Sequence, residues 1–201
     1  NVDEFQRARG LRIGFFRLML QAAAKRARAV IAPSRYLARI VEGWGVTGER
    51  IWVVCNSFAS PDHEVDVLPD VELPPAFAQG FRLITVGRLV PHKQLTDIVR
   101  VLAKMRDAKL VIVGDGPEWH KLQLLIEELG LADRVFMTGR LSQQKGWGLL
   151  TRYSDAMVLN STYEGMPHIL LEAAHFGVPV VATAVGGTPE IGRDGETGLL
   201  I

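Results

Sequence analysis

The sequence predicts an α/β protein whose core is a doubly wound, Rossmann-like parallel sheet. From residue 81 onward, short apolar runs rich in β-branched residues alternate with longer amphipathic stretches, which is typical of βαβ units. The first run, residues 81–86, is almost continuously apolar, as expected of a strand buried on both faces. We predict strands at 81–86, 110–113, 135–137, 156–159, 178–182 and 198–201, and helices at 95–106, 118–129, 143–153 and 167–176.

The composition is that of a globular protein without a polyanionic partner. Of the 201 residues, 48% are hydrophobic and 22% are charged, close to the average for folded domains. The 23 Lys and Arg residues nearly balance the 22 Asp and Glu residues, which argues against nucleic acid as a partner. The single cysteine, Cys55, cannot form an internal disulfide, and its apolar surroundings predict a buried thiol in a reducing compartment.

A Pro-rich connection divides the sequence into two predicted domains. Residues 1–56 are expected to form the end of a first Rossmann-like domain, residues 57–80 a linker, and residues 81–201 a second Rossmann-like domain. The first block is predicted to contain a basic helix at 7–28, a strand at 29–32, a helix capped by Ser34 and a strand at 51–55. Because the sequence starts without Met and stops within a strand-like run, we interpret both domains as incomplete.

The loop after the first predicted strand of the second domain carries two cations. Gly87 opens this loop, and Arg88 and Lys93 follow. In an open parallel sheet, ligands bind beyond the carboxyl ends of the strands, so both side chains are expected at the binding edge. A guanidinium and an ammonium group can contact one diphosphate together. The alternative is that both are ordinary solvated cations at a helix start.

Two acidic residues flank the start of the last predicted helix. Glu164 lies just outside that helix, and Glu172 lies ~7 to 8 Å along its axis from the start. Between them are the remaining candidate contacts, Gly165, Met166, Pro167, His168, Ile169 and Leu170. Free amides near Ile169 and Leu170 can hold phosphate, and each carboxylate can accept hydrogen bonds from neighbouring sugar hydroxyls. The pattern predicts a ligand with a sugar at each end and a diphosphate between. The alternative, a loop acid and an exposed helix residue, fits Glu172 poorly, because its neighbours are apolar.

Three further loops follow predicted strands and carry weaker signals. Residues 114–117, Gly-Asp-Gly-Pro, suit a tight strand-to-helix turn. The loop that contains Leu141 is a candidate for nucleobase contacts through its backbone. The glycine pair at 186–187 permits either close backbone approach to a ligand or a plain turn.

Together these segments resemble the retaining glycosyltransferases of family four, which have the two-domain GT-B fold. The motifs that carry the resemblance are Gly87-Arg88-Leu89 with Lys93, residues 114–117, Ser154-Asp155, the pair Glu164 and Glu172, and residues 186–190. The resemblance covers nearly the whole chain and implies one GT-B half plus part of the other. Two positions depart from the family pattern: Asn56-Ser57 stands where Asn-Gly is usual, and Gln94 replaces a common glycine.

The resemblance implies a role for each matching residue. Arg88 and Lys93 are expected on the donor diphosphate, Glu164 on hexose hydroxyls and Glu172 on ribose hydroxyls. Arg88, Lys93 and Glu164 are the expected catalytic residues. The amides of Ile169 and Leu170 are expected on phosphate.

The implied reaction transfers a hexose from a nucleoside-diphosphate sugar to a glycan or lipid-linked acceptor with retained anomeric configuration, as in polysaccharide or lipopolysaccharide biosynthesis. It requires no metal, no other cofactor and no carboxylate nucleophile. Catalysis by this chain alone is not expected. The alternatives are a nucleotide-sugar epimerase of GT-B type or a non-catalytic nucleotide-binding domain. A dehydrogenase is disfavoured, because no strand leads into Gly-x-Gly-x-x-Gly.

The basic helix predicted at 7–28 combines arginines with large apolar residues. Such a helix can rest on anionic lipid, which suits an enzyme with a lipid-linked acceptor at the inner face of a membrane. The alternative is a solvated helix packed on its own sheet. The expected location is cytoplasmic, with or without this peripheral contact.

Overall fold

A computed structural model describes residues 11–57 and 71–201 of the chain. The second block forms a six-stranded, fully parallel sheet with strand order β5-β4-β3-β6-β7-β8, which confirms the predicted fold class. Its strands are β3 (Phe81–Val86), β4 (Ala108–Val113), β5 (Val135–Gly139), β6 (Ala156–Leu159), β7 (Val180–Ala182) and β8 (Gly198–Leu200). The helices between them are α3 (Leu95–Leu102), α4 (Trp119–Glu128), α5 (Gln143–Arg152) and α6 (His168–His175).

Helices cover both faces of this sheet. Helices α3 and α4 pack on one face through Val99, Leu102 and Leu122, and α5 and α6 pack on the other through Leu149, Leu150 and Leu170. Strand β4 contributes to both layers, because alternate side chains point to opposite faces: Leu110 and Ile112 join the first cluster, Val111 and Val113 the second. A strand that is buried on both faces needs a continuous apolar run, and such a run is the pattern from which these strands were predicted.

Several element ends differ from the prediction. Helix α3 ends at Leu102, and β4 begins at Ala108, two residues before the predicted start. Strand β7 begins at Val180 because Pro179 has no N–H for the ladder, although its carbonyl accepts from Met157. The predicted linker contains a short 3₁₀ turn, Pro75–Ala78, that buries Phe77 against the sheet. Residues 58–70 of that linker lie outside the described residues.

The first block forms a separate two-stranded parallel sheet. Its elements are α1 (Leu11–Arg26), β1 (Val30–Ala32), α2 (Arg35–Gly43) and β2 (Ile51–Val53). The predicted cap is confirmed, since the Ser34 hydroxyl accepts a hydrogen bond from the Leu37 amide at 3.2 Å. Residues 7–10 of the predicted basic helix lie outside the described residues.

The prediction of a buried Cys55 thiol is wrong. Cys55 is exposed, as are Trp52, Val53 and Val54 before it. The apolar neighbours of Cys55 indicated a buried side chain, but in the described part of the chain β2 pairs only with β1 and nothing covers these side chains. The described residues also contain no helix that is long and apolar enough to cross a membrane. Helix α1 exposes Phe15, Leu18 and Met19, and its contact with lipid stays a prediction.

An ion pair joins the two central strands at the sheet edge opposite the candidate site. Arg82, at the start of β3, donates to Asp155, just before β6, through its backbone amide at 2.7 Å and its guanidinium at 2.9 and 3.2 Å. The backbone amide of Asp155 donates in turn to the Arg82 carbonyl. Hydrogen bonds from Arg82 hold the pKa of Asp155 below its usual value near 3.8, and those to Asp155 raise the pKa of Arg82.

Replacing Asp155 by asparagine is therefore expected to lower stability at neutral pH and to flatten its decline in acid. A carboxyl group whose pKa falls on folding stabilises the fold above its unfolded pKa and loses that contribution as pH drops through the folded value. Urea unfolding followed from about pH 7 to about pH 2.5 should show a steeper loss below about pH 4 in the wild type than in the variant. Asp97→Asn, in an exposed pair with Arg100, is the control. Parallel curves for wild type and Asp155→Asn would contradict this account.

Candidate functional site

The loops that follow β3 and β4 interlock through their backbones at the carboxyl edge of the sheet. The amide of Gly87 donates to Val113 at 2.9 Å, and the amide of Leu89 donates to Asp115 at 3.0 Å. A Cβ atom on Gly114 would overlap the carbonyl oxygen of Gly87, so only glycine fits there. This close approach fixes the path of the loop that leads to Arg88.

Lys93 and Glu164 form a largely buried ion pair at the centre of this edge. Lys93 ends the 3₁₀ turn Pro91–Lys93, and its Nζ lies 2.5 Å from Oε1 of Glu164. The Ser161 hydroxyl donates to the same oxygen at 2.6 Å. Glu164 is 8% exposed. The resemblance implies that Lys93 contacts the diphosphate and Glu164 the hexose, whereas the structure shows the two side chains in direct contact with each other. A hydrogen-bonded lysine makes a buried carboxylate tolerable.

Arg88 stands beside this pair with its guanidinium available. The side chain is exposed and makes no hydrogen bond or ion pair with any residue in 11–57 or 71–201. A small cavity lies between it and Lys93 and is also lined by Gly87 and Asn160. The two cations thus border one space.

Gln94, which departs from the family pattern, adopts a left-handed backbone conformation. Its φ of 47° and ψ of 40° are left-handed, and it has the only positive φ among the described non-glycine residues. The chain therefore follows a path that favours glycine, at a strain of about 1–2 kcal/mol. Its carbonyl oxygen accepts a 3.4 Å hydrogen bond from the Asn160 side chain, which ties this turn to the loop after β6.

Three consecutive carbonyls in the loop before α6 are each held by a hydrogen bond. The Gly187 amide donates to Glu164 at 2.9 Å, the Ser34 hydroxyl donates to Gly165 at 2.8 Å, and the Asn56 side chain donates to Met166 at 3.2 Å. Sequence analysis missed these contacts. Ser34 was identified only as a helix cap, because no local pattern reveals a partner 131 residues away.

Glu172 lies in the second turn of α6 and is also buried, with 8% exposure. Its Oε1 accepts a 3.0 Å hydrogen bond from the side chain of Gln143, the first residue of α5. This hydrogen bond gives the carboxylate a partner in its apolar surroundings. The partner, Gln143, was not predicted, because α5 and α6 become neighbours only when both helices pack on the same face of the sheet.

Among the described residues, the two free amides at the start of α6 are those of His168 and Ile169, whereas the predicted pair was Ile169 and Leu170. Pro167, which is buried, caps the helix, and its carbonyl accepts from the Leu170 amide at 3.1 Å. The Leu170 amide is thus engaged within its own turn. Among the described residues, nothing accepts from the amides of His168 and Ile169. These two groups are available to an anion.

Leu141, the candidate for nucleobase contacts, is half-buried just after β5. It packs against the core cluster that contains Leu149 and Leu170. The described residues hold no group of three His, Cys, Asp or Glu side chains that could bind a metal ion.

Comparisons with known proteins agree with this geometry. The family model described as "Glycosyl transferases group 1" matches residues 75–201. N-acetyl-alpha-D-glucosaminyl L-malate synthase of Bacillus anthracis is 40% identical over 121 residues, which are 59% of this chain and 31% of that protein. The lipopolysaccharide core biosynthesis glycosyltransferase LpsD of Rhizobium meliloti is 36% identical over 110 residues, covering 55% of this chain and 31% of the relative.

Solved structures extend the similarity to the first block. The structure of HepE from Anabaena in complex with UDP-glucose superimposes with a TM-score of 0.78 at 26% identity, covering 92% of this chain and 52% of that one. The apo form of the lipopolysaccharide outer core galactosyltransferase WaaB gives a TM-score of 0.70 at 27% identity, with 87% and 48% covered. This chain spans about a third of the curated relatives and about half of the solved structures. From the family match and the GT-B fold of these neighbours, the chain belongs to the group 1 glycosyl transferases.

Proposed function

We propose that this chain forms the donor side of a retaining hexosyltransferase that uses a nucleoside-diphosphate sugar. The observation that carries the proposal is the buried Lys93–Glu164 pair, which lies beside the guanidinium of Arg88, a group that pairs with no other side chain in the described ranges. Cations suit the diphosphate, and carboxylates suit the sugar hydroxyls at its two ends.

The free hydrogen-bonding capacity of the site matches such a ligand. An ammonium group has three donors, so Lys93 can keep its bond to Glu164 and still contact a diphosphate. In Glu164, Oε1 is engaged and Oε2 is available to a hexose hydroxyl. Gln143 likewise occupies one oxygen of Glu172 and leaves the other for a ribose hydroxyl. The amides of His168 and Ile169 complete the phosphate contacts.

In the proposed reaction, the bond between the anomeric carbon and the diphosphate oxygen breaks first. The acceptor oxygen then bonds to the same face of the sugar, and its proton passes to the departing diphosphate. Arg88 and Lys93 stabilise the negative charge that grows on the leaving group. Glu164 serves as a hydrogen-bond acceptor for the hexose through Oε2, while Lys93 and Ser161 hold its Oε1. The scheme needs no metal ion.

The comparisons support the classes of donor and acceptor. HepE was solved with UDP-glucose, and LpsD is named for lipopolysaccharide core biosynthesis. We therefore propose a nucleotide-hexose donor and a glycan or lipid-linked acceptor for the protein that contains this chain.

The two carboxylates are expected to have separable effects on binding, measured by calorimetry with nucleoside diphosphates and their hexose derivatives. Glu172→Ala should weaken both ligand types about tenfold, because both carry ribose. Glu164→Gln should weaken only the sugar-bearing ligand by about tenfold, since the variant keeps its shape and leaves Lys93 available to the diphosphate. The exposed Glu127→Gln on α4 serves as the control. Equal losses for both ligand types in both variants would refute the proposed roles.

A further inference from the structure

Glu190 caps a helix that belongs to the other block of the chain. It ends the 3₁₀ turn Thr188–Glu190, and its two carboxylate oxygens accept hydrogen bonds from the amides of Arg35 and Tyr36, each at 2.8 Å. These amides belong to the first turn of α2, where no intrahelical acceptor exists. The negative charge also favours the positive end of the helix dipole.

The same turn of α2 reaches the loop that carries Glu164. The Ser34 hydroxyl accepts from the Leu37 amide and donates to the carbonyl of Gly165 at 2.8 Å. Ser34 is fully buried. Its Cβ also lies where a side chain on Gly187 would have to go, so the helix start fits tightly between two loops of the second block.

These contacts form one connected set, which we name the inter-block clamp: Ser34, Arg35, Tyr36, Gly165 and Glu190. Within it, Glu190 holds the first turn of α2 in place. Ser34, at the start of that helix, in turn holds the carbonyl of Gly165, the residue next to Glu164. The Gly187 amide, three residues before Glu190, holds the carbonyl of Glu164 itself. None of the five clamp residues is among the proposed diphosphate contacts, which are Arg88, Lys93, His168 and Ile169.

We propose that Glu190 is a positioning residue for the sugar half of the donor site, acting through the inter-block clamp on Glu164. The inference rests on the proposed function, in which Glu164 binds the hexose. It assigns to the first block a part in donor recognition, although that block holds none of the residues proposed to contact the donor. Breaking the clamp lets the Glu164 loop shift, which weakens hexose binding and leaves the diphosphate contacts in place.

Thermodynamic linkage gives the inference a second consequence. If the intact clamp strengthens hexose binding by some factor, bound hexose must strengthen the clamp by the same factor. The amides of Arg35 and Tyr36 report on the clamp directly, because opening it exposes them to exchange with solvent.

The test uses the 201-residue chain, UDP-glucose and UDP as probes, and the Glu190→Gln variant, which keeps the side-chain shape but lacks the charge and one acceptor. The preference for UDP-glucose over UDP, measured by calorimetry, should fall about fivefold, with UDP affinity within about twofold of wild type. In hydrogen exchange, UDP-glucose should protect the amides of Arg35 and Tyr36 more than UDP does, and the variant should lose this difference. Glu196→Gln, an exposed acid paired only with Arg193 at 3.2 Å, should behave as wild type.

The outcomes separate the two proposals. A variant with fast-exchanging amides but an unchanged preference for UDP-glucose would show that the clamp is merely structural and would overturn the inference. Equal losses for UDP and UDP-glucose would overturn it as well, because the effect would not be specific to the sugar. A wild-type chain that binds neither UDP-glucose nor other nucleoside-diphosphate hexoses would sink the proposed function itself. Ser34→Ala, which removes the bond to Gly165 by another route, should reproduce the lowered preference.

Discussion

Replacing Lys93 by methionine is expected to lower the free energy of unfolding by about 3–5 kcal/mol, because it leaves a buried carboxylate without its counter-charge. Methionine keeps the length and apolar bulk of the lysine stem, so the cost reports on the lost charge. Glu164 would retain only the Ser161 hydroxyl, at 2.6 Å. The same variant is expected to bind a nucleoside diphosphate at least about tenfold more weakly, because one of the two proposed cationic contacts is gone. Urea unfolding and calorimetry measure the two effects.

A second substitution separates pairing from packing at this position. Adding Glu164→Gln to Lys93→Met removes the uncompensated charge and should recover about half or more of the lost stability, while diphosphate affinity stays low. The exposed ion pair between Lys121 and Glu118, at 2.7 Å, provides the control. Lys121→Met should cost less than about 1 kcal/mol. If Lys93→Met lowers the free energy of unfolding as little as this control does, the buried pair contributes less to stability than we expect.

Replacing Gly186 by alanine is expected to cost about 3 kcal/mol or more and to abolish hexose-dependent binding. A Cβ atom at this position would overlap the carbonyl oxygen of Glu164, and the residue has a left-handed φ of 58°. The overlap can be relieved only by moving the 186–190 loop away from the Glu164 loop, which breaks the hydrogen bond from Gly187 to Glu164. Chemical denaturation gives the stability change, and titration with a nucleotide-hexose gives the functional one.

Gly177 offers a matched control for the backbone strain. Its φ of 67° is close to that of Gly186, but a Cβ atom there would meet no other atom within 4 Å. Gly177→Ala should therefore cost only the strain of a left-handed alanine, about 1 kcal/mol, and leave ligand binding intact. Similar costs for the two substitutions would mean that the close backbone contact is not a determinant of the site.

The sheet could be predicted because its signal is local. Each strand of the second block is a short apolar run, and the carboxyl-end rule then places the loops at Gly87, Gly114 and Glu164 along one edge. In the structure Lys93 and Glu164 lie in direct contact at this edge. Their direct contact was not predicted, because it depends on the alignment of β3 with β6 and on side-chain rotamers, neither of which the sequence pattern specifies.

The contacts that hold the site in place were beyond sequence analysis for a related reason. Glu190 and Arg35 are 155 positions apart and belong to different predicted domains. Composition describes what surrounds a residue along the chain and not what covers it in space. The same limitation explains the wrong prediction for Cys55, whose apolar neighbours also lie exposed. Glycine pairs are equally ambiguous, since Gly186 and Gly187 accommodate protein backbone.

The strand order has a consequence for how the protein acquires its activity during synthesis. Strand β3 is central in the sheet, but one of its neighbours, β6, is made about 70 residues after it. A ribosome adds about 5–20 residues per second. For several seconds, therefore, β3 can pair with β4 on one side but has no neighbouring strand on the other. Throughout that interval Lys93 has no carboxylate to meet, because Glu164 has not yet been translated. The proposed sugar-nucleotide site is thus completed late in synthesis, once the sheet has closed on both sides of its middle strand.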